Sequence, residues 1–329
     1  MIISVSRRTD IPAFYSDWFY SRVKEGYVLV RNPFNYRQVS KIPLTLDAVD
    51  CFVFWSKNPA NMIDNLQIID RYPYYFQFTL NPYDDKIEKN APKKSRIIDT
   101  FKKLSDKIGP NRVIWRYDPI IITKAVNEEY HYKYFEVLSS KLQGYTSKCI
   151  ISFVDFYPKA KKGLEKIGAF EISDEDKVRI GRRLGEIAEA CSIKIETCAE
   201  EIDLSQFGIE HGRCIDPHLI EEISGRKVKD GKDKNQRKAC GCAASVDIGA
   251  YNTCMHGCVY CYANYSSSVV DGNMTLYDVN SPLLCSSITD EDAITEKTVS
   301  YLTPSLKFIQ KQNPISYFWL SYKYLHRFF

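Results

Sequence analysis

The sequence predicts an α/β fold, built as a partial or full parallel (β/α) barrel of the TIM-like kind. Within residues 1–205, short apolar runs alternate with helix-length amphipathic stretches, the pattern of parallel βαβ units. Charged or polar residues follow six of these runs directly, and catalytic groups in such barrels collect at that end of the strands. A doubly wound open sheet is the alternative arrangement.

The apolar runs predict six strands in order. They cover residues 2–5, 51–55, 75–80, 113–117, 148–153 and 193–197. Helices are predicted after the first five strands, at residues 14–24, 61–71, 94–108, 127–143 and 173–190. Ser173, which precedes three acidic residues, has the character of a helix N-cap. Residues 243–248 would add a seventh strand directly before a cysteine-rich loop.

Three regions follow from this pattern. Residues 1–205 supply the barrel strands and helices, residues 206–300 form a cysteine-rich cluster-binding segment that completes the barrel mouth, and residues 301–329 form a C-terminal tail. The net charge of +4 over 329 residues is small and does not indicate extensive binding to a nucleic-acid duplex. No run reaches the ~18 apolar residues of a membrane helix. Residues 1–4 do not begin a secretory leader, so we expect a cytoplasmic location and no transmembrane segment.

The most specific motif is a short cysteine loop. Cys254, Cys258 and Cys261 have the spacing Cys-x-x-x-Cys-x-x-Cys, and Tyr260 stands just before the third cysteine. Three thiolates can hold three irons of a [4Fe–4S] cluster and leave the fourth iron open, whereas four-cysteine clusters usually carry electrons only. His256 lies inside the loop, so zinc is an alternative, although zinc ligands more often form two separated pairs.

The loop resembles that of the radical S-adenosylmethionine (SAM) enzymes, and the string from His256 to Ala263 looks most like their spore photoproduct lyase-like branch. The chain also resembles an uncharacterised bacterial domain-of-unknown-function family that begins with Ser-Arg-Arg-Thr-Asp, here residues 6–10. The resemblance implies an enzyme that cleaves SAM reductively at the cluster to generate a 5′-deoxyadenosyl radical. It further implies an electron donor such as flavodoxin or ferredoxin, and a substrate that is a small molecule, a peptide or a nucleic acid.

The order of segments departs from that superfamily, in which the cluster loop follows the first strand. Here the loop follows all six predicted strands, so either the arrangement is circularly permuted or the C-terminal segment folds over the barrel mouth. A Gly-Gly-Glu-like segment, which in many radical SAM enzymes holds the methionine amino group after the second strand, is not evident. Ser56-Lys57-Asn58-Pro59 occupies that place and resembles the corresponding stretch of the lyase-like branch.

Polar residues at the predicted strand ends are the candidate site residues. A guanidinium fixed at a barrel mouth suits a carboxylate or phosphate, because it presents a rigid fork of donors, but structural ion pairs are an equal alternative. The candidate catalytic residues are Arg7, Arg8, Lys57, Arg116, Asp118 and Glu196. The candidate SAM-binding residues are Lys57, Asn58, Asp155 and Glu200. Asp10 is a candidate helix cap.

A second set of cysteines lies in polar, glycine-rich loops. Cys198, Cys214, Cys240 and Cys242 are candidate ligands of an auxiliary iron–sulfur cluster. Three alternatives stay open for these cysteines. They could bind a structural zinc, they could be buried free thiols, or one of them could be a ligand of the first cluster. Two other functions stay open for the whole chain: a non-catalytic iron–sulfur redox or sensor protein, and a zinc-stabilised nucleic-acid-binding protein whose basic residues 226–238 track phosphates.

Overall fold

A large parallel sheet forms the centre of the molecule. The computed structural model describes residues 1–228 and 231–298. Eight strands pair in parallel throughout, with the hydrogen-bonded order β10-β1-β4-β5-β6-β7-β8-β9. Their bounds are β1 Ile2–Val5, β4 Cys51–Ser56, β5 Tyr74–Thr79, β6 Val113–Ile120, β7 Lys148–Phe153, β8 Lys194–Thr197, β9 Glu210–His211 and β10 Val246–Asp247. The predicted α/β class and its parallel sheet are therefore confirmed.

All six predicted strands are present, and the seventh forms over two residues. That seventh strand, β10, pairs in parallel with β1 through Ile3↔Val246 and Ser4↔Asp247. A separate three-stranded sheet was not predicted. It contains β2 (Tyr27–Asn32), β3 (Asn35–Pro43) and β11 (Ala293–Glu296) in the order β11-β3-β2. The first four residues of β3 are exposed and polar or aromatic, so they lack the apolar alternation by which a strand is recognised.

The helices predicted at 14–24, 94–108, 127–143 and 173–190 are present, whereas four shorter helices of the described residues were not predicted. Their bounds are α1 Ile11–Phe14, α2 Ser16–Glu25, α3 Ala60–Ile63, α4 Lys94–Ile108, α5 Glu128–Leu142, α6 Pro158–Lys166, α7 Asp174–Ala190, α8 Pro217–Ser224 and α9 Ser267–Met274. Ser173 caps α7 as predicted, because its hydroxyl accepts a hydrogen bond from the amide of Asp176 at 3.1 Å. The predicted helix at 61–71 is instead the short α3 and a 3₁₀ turn at Leu66–Ile69. No helix within the described ranges combines the length and apolar character needed to cross a membrane.

The two faces of the sheet pack against different partners. One face carries large side chains such as Phe54, Phe76 and Trp115, which pack on α2, α4, α5 and α7 and form the main core. The other, which we call the cysteine-lined face, carries Ile2, Cys51, Val53, Tyr75, Ile114 and Ile150 and packs against Cys214, Ile215, Ile220, Cys240, Cys242 and Ala243. Successive side chains of a strand point to opposite faces, so each strand supplies both layers. The predicted tail, residues 301–329, lies outside the described residues.

Candidate functional site

The cluster loop, residues 254–263, lies at the carboxyl edge of the parallel sheet. It follows β10, and its side chains reach the segments after three neighbouring strands. His256 Nε2 lies 2.8 Å from Asp10 Oδ2, after β1. The Lys57 ammonium, after β4, donates to the Tyr260 hydroxyl at 2.8 Å. Tyr260 donates in turn to Glu88, after β5, at 2.5 Å. Ligands bind at this edge in parallel α/β folds.

Asp10 joins the first helix to the cluster loop. Its carboxylate accepts from the amide of Ala13 at 3.0 Å, which confirms the predicted helix cap. Its other oxygen accepts from the amide of Lys57 at 2.8 Å and contacts His256. Asp10 is only 5% exposed, and the ring of Phe14 lies 4.6 Å from the His256 ring. The second ring nitrogen of His256, Nδ1, is buried and has no hydrogen-bond partner among the described residues.

Glu88 anchors the other side of the loop. The residue is 2% exposed, and its carboxylate accepts from Lys57 at 2.7 Å and from Lys94 at 2.5 Å. Burial raises the pKa of Glu88, but the charges and hydrogen bonds of Lys57 and Lys94 outweigh it and lower that pKa to about 2. A backbone bridge between Glu88 and Cys258 ties this network to the loop.

The backbone of the loop is held by close approaches from two segments. The amide and side chain of Asn90 donate to the carbonyls of His256 and Met255 at 2.9 and 2.7 Å. Gly257 has φ +66°, a conformation that suits glycine. On the opposite side, α6 comes so close that a Cβ on Gly163 would lie 2.2 Å from the carbonyl oxygen of Val259.

The three thiols of the loop share one environment. Burial, then the charges of Cys261, Asp10 and Cys258, raise the pKa of Cys254 well above its ordinary value. Burial raises the pKa of Cys258 to about 12, although the Lys57 ammonium acts in the opposite direction. Burial also raises the pKa of Cys261. Thiol ligands must lose their protons to bind a metal, so an ion bound by this loop would displace the three protons that burial retains.

The donor set of the loop fits an iron–sulfur cluster. His256 Nε2 is committed to Asp10, so the donors that the loop shares are three sulfurs, and an all-sulfur set suits iron–sulfur clusters. The buried Nδ1 of His256, in the same loop, has no hydrogen-bond partner among the described residues, so an added group could satisfy it. No group of three or more His, Cys, Asp and Glu side chains in residues 1–228 and 231–298 already stands in the geometry of a metal site.

A family profile described as a domain of unknown function (DUF1848) matches residues 2–263. The chain belongs to this family. The DUF1848 match begins in β1 and ends two residues after Cys261, so the parallel sheet and the cluster loop belong to one family domain. No curated protein matches the chain.

Beyond the loop of the DUF1848 domain, a group of polar side chains surrounds Trp55. Its ring lies 5.2 Å from the guanidinium carbon of Arg116 and 5.8 Å from that of Arg7. Arg116 also pairs with Asp118, which accepts a hydrogen bond from Ser152. The indole nitrogen of Trp55 is buried without a hydrogen-bond partner among the described residues. The structure thus brings three of the predicted catalytic residues together around an unsatisfied donor.

Arg7 and Arg8 are engaged with acidic residues. Asp247, the last residue of β10, accepts from the amide of Arg7 at 2.8 Å and lies within 4.0 Å of both guanidinium groups. Asp247 also accepts from the hydroxyls of Ser4 and Ser6 at 2.8 and 2.5 Å. These contacts fasten β10, and hence the start of the cluster loop, to the end of β1.

The predicted SAM-binding residues have different surroundings. Lys57 contacts the cluster loop, as described above. Asn58 donates its amide to the Ser56 hydroxyl at 3.0 Å. Asp155 forms an ion pair with Arg237. Glu200 accepts from the amide of Phe153 at 2.9 Å, and burial raises the pKa of Glu200 above its ordinary value.

Glu196 lies away from the cluster loop. Its carboxylate is 3.1 Å from the ammonium of Lys148 and 2.7 Å from that of Lys194. These lysines are the first residues of β7 and β8, so the contacts face the amino edge of the sheet. Glu196 there lines a surface cavity together with His211 and Asp216. The structure therefore does not bring this predicted catalytic residue to the others.

The second set of cysteines is brought together from three segments. Cys198 Sγ lies 3.2 Å from Cys214 Sγ. Cys214, Cys240 and Cys242 belong to one buried cluster, and Cys198 packs against it. All four are free cysteines at the cysteine-lined face.

Glu88 and Asp247 were missed by the sequence analysis. Glu88 lies in a stretch rich in lysine and aspartate that is typical of a solvated loop, and only the fold reveals that it is buried. Asp247 carried a usable signal, because it is the one charged residue near the end of the predicted seventh strand, residues 243–248.

Proposed function

We propose that this DUF1848 protein is a radical SAM-type iron–sulfur enzyme, in which Cys254, Cys258 and Cys261 bind three irons of a [4Fe–4S] cluster. The observation that carries the proposal is the place of these thiols: one loop at the carboxyl edge of a parallel sheet, packed against Asp10 and Lys57. When bound, such a cluster supplies an electron that cleaves SAM to methionine and a 5′-deoxyadenosyl radical, which abstracts a hydrogen from the substrate.

The strand order supports a circularly permuted TIM-like barrel, partial or full. In radical SAM enzymes the cluster loop follows the first strand. Here β10 leads into the loop and lies beside β1, and β4, β5, β6 and β7 follow across the sheet. We therefore assign β10 the place of that first strand. On this assignment residues 6–10, after β1, are nearest to the loop and join Lys57 and Asn58 as candidate contacts of the methionine group.

The residues around the loop would hold and orient the bound groups. The ammonium of Lys57 lies close enough to Cys258 for its charge to act on that sulfur, and it would balance part of the negative charge of the ligated thiolates. Arg7, Asp118 and the indole nitrogen of Trp55 would bind the polar part of the substrate, and Arg116 would hold Asp118 in place. The protein's task in such chemistry is to bind, orient and exclude water, because the cofactor carries the difficult step.

The deciding experiment uses anaerobically reconstituted protein reduced with dithionite. We expect an electron paramagnetic resonance signal that changes when SAM is added, together with formation of 5′-deoxyadenosine. Both should be lost in Cys258→Ala. The matched control is Cys191→Ala, a buried cysteine at the end of α7, far in sequence from the loop, which should retain both.

Each alternative has its own outcome in this experiment. A cluster whose signal is indifferent to SAM, with no 5′-deoxyadenosine formed, would overturn the enzyme and favour a redox or sensor protein. Zinc in place of iron at the loop would overturn the cluster itself and favour the nucleic-acid-binding reading.

A further inference from the structure

The four cysteines at the cysteine-lined face come from segments outside the cluster loop. Cys198 follows β8, Cys214 precedes α8, and Cys240 and Cys242 belong to the segment that leads back toward β10. Cys214, Cys240 and Cys242 are buried, and Cys198 is half-buried. Cys198 Sγ lies 3.2 Å from Cys214 Sγ, the Cys242 thiol accepts from the amide of Ile215 next to Cys214, and Cys240 packs in the same buried cluster.

The distance between the Cys198 and Cys214 sulfurs bears on which kind of group these cysteines could close around. The separation of 3.2 Å between Cys198 Sγ and Cys214 Sγ is too long for a disulfide, whose S–S bond is about 2.05 Å. Four thiolates bound at about 2.3 Å to one tetrahedral ion stand about 3.8 Å apart, a little more than the observed separation. A [4Fe–4S] cube places each thiolate on a different iron, so its cysteine sulfurs stand much farther apart.

The surroundings provide hydrogen bonds suited to ligating thiolates. The guanidinium of Arg116 donates to Cys214 Sγ at 2.6 Å. The amide of Ile215 donates to Cys242 Sγ at 3.4 Å. Four thiolates around a divalent ion carry a net negative charge, which the buried Arg116 partly balances. Such outer hydrogen bonds orient the ligands of a metal and tune its affinity.

We propose that Cys198, Cys214, Cys240 and Cys242 bind a single zinc ion. With four protein ligands the coordination sphere is closed, so the ion is structural and leaves no position for a substrate. It fastens the segment around Cys214 to the sheet, where Tyr75 and Gln77 already donate to the Cys214 carbonyl at 2.7 and 2.8 Å. Arg116 becomes a positioning residue of this site. The proposal does not depend on the radical SAM function.

The test is to remove the three thiols of the cluster loop and to measure which metal the remaining cysteines bind. The full chain carrying Cys254→Ala, Cys258→Ala and Cys261→Ala is purified without added iron, and its metals and acid-labile sulfide are measured. We expect about one zinc per chain and no sulfide. Exchange for cobalt should give the intense visible bands of a tetrahedral thiolate site. About four irons per chain with matching sulfide would overturn zinc in favour of an auxiliary cluster, and absence of any metal would leave only free thiols.

A second measurement serves if the triple variant does not fold. Wild-type protein is treated stepwise with a mercurial reagent in the presence of a zinc indicator. Release of about one zinc as four thiols react supports the site, whereas reaction of all thiols without zinc release overturns it. Cys240→Ser should lose the zinc, and the matched control Cys191→Ser should keep it, because Cys191 lies at the end of α7 outside the group.

Discussion

The ammonium of Lys57 lies 2.7 Å from the buried carboxylate of Glu88, directly beneath the cluster loop. Lys94 contacts the other oxygen of that carboxylate, and the Tyr260 hydroxyl donates to the same oxygen as Lys57. One acid therefore holds two cations and the aromatic residue that precedes the third cysteine of the loop. Loss of its charge would leave the Lys57 ammonium without its main counterion in a largely buried place.

Replacement of Glu88 by glutamine should destabilise the protein strongly. Removal of one partner from a buried ion pair costs about 3 to 5 kcal/mol, because the remaining charge is uncompensated. We expect Glu88→Gln to lower the free energy of unfolding by about that amount in urea titrations. The control is Asp64→Asn, which breaks an exposed ion pair with Lys103 and should change the free energy by less than about 1 kcal/mol. Equal effects would contradict the buried network.

The same carboxylate should make the protein sensitive to strong acid. The pKa of Glu88 is lowered to about 2 from its ordinary 4.5. The carboxylate is therefore protonated at a lower pH in the folded state than in the unfolded state. Its stabilising contribution is complete above pH 4.5 and is lost as the pH falls from 4.5 toward 2. The free energy of unfolding of the wild type, measured against pH, should show this loss, and the Glu88→Gln profile should lack it.

His131 should produce a separate loss of stability at milder acidity. Burial lowers the pKa of His131 to about 4, from an ordinary value of 6.5. The folded state holds the neutral ring between the Tyr117 hydroxyl at 2.8 Å and the Ile121 carbonyl at 3.0 Å. Stability is therefore full above pH 6.5 and falls by about 3 kcal/mol as the pH drops to 4.

Two histidine variants test whether His131 causes the loss of stability between pH 6.5 and 4. His131→Phe should flatten the dependence of unfolding free energy on pH between 6.5 and 4, whatever its effect on stability at neutral pH. His218→Asn changes an exposed histidine on α8 and should leave the profile of the wild type intact. An unchanged profile in His131→Phe would show that another group titrates in this range.

Two helical glycines should respond in opposite directions to replacement by alanine. In α6, a Cβ at Gly163 would lie 2.2 Å from the Val259 carbonyl, so Gly163→Ala must displace α6 or the cluster loop. In α9, a Cβ at Gly272 meets nothing within 4 Å, so Gly272→Ala should stabilise by about 0.5 to 1 kcal/mol. For both variants, the melting temperature and the iron bound per chain after reconstitution are measured. We expect Gly163→Ala to have a lower melting temperature and to bind less iron than the wild type. If Gly163→Ala bound as much iron as the wild type, the tight packing of α6 on the loop would be contradicted.

The charge of Lys57 should tune the reduction potential of a bound cluster. Removal of a nearby positive charge stabilises the oxidised, less negative form, so Lys57→Met should move the midpoint potential to more negative values, by tens of millivolts on an order-of-magnitude basis. Lys57→Arg retains the charge and should stay near the wild type. A potentiometric titration followed by electron paramagnetic resonance measures the shift, and equal potentials in the three proteins would place the cluster elsewhere.

The sequence predicted the strands of the parallel sheet better than the separate β2–β3 hairpin and the pairing of β10. Six of the eight strands of the parallel sheet are marked by short apolar runs, because most of their side chains are buried on both faces. The hairpin of β2 and β3 is half-exposed, and its sequence resembles that of a loop. The predicted seventh strand pairs over only two residues, but its place beside β1 depends on a contact across more than 240 residues, which no local pattern contains.

The candidate site was predictable where residue type and spacing were enough. The cysteines of the loop and Lys57 were selected by these signals, and the structure brings Lys57 to the loop, where its ammonium donates to the Tyr260 hydroxyl at 2.8 Å. Glu196 was selected for its place after an apolar stretch, but its carboxylate turns toward Lys148 and Lys194 at the amino edge of the sheet. The orientation of the Glu196 side chain is set by its ion-pair partners, and Lys148 is almost 50 residues away in the sequence.

The pairing of Asp10 with His256 has a consequence for biosynthesis. The two residues are 246 positions apart, and the loop that carries His256 comes at the end of the family domain. At about 5 to 20 residues per second, a ribosome needs roughly 12 to 50 seconds to pass from one to the other. During this interval the carboxyl edge of the sheet has neither β10 nor the loop, so any metal can be loaded only after nearly the whole domain has been made.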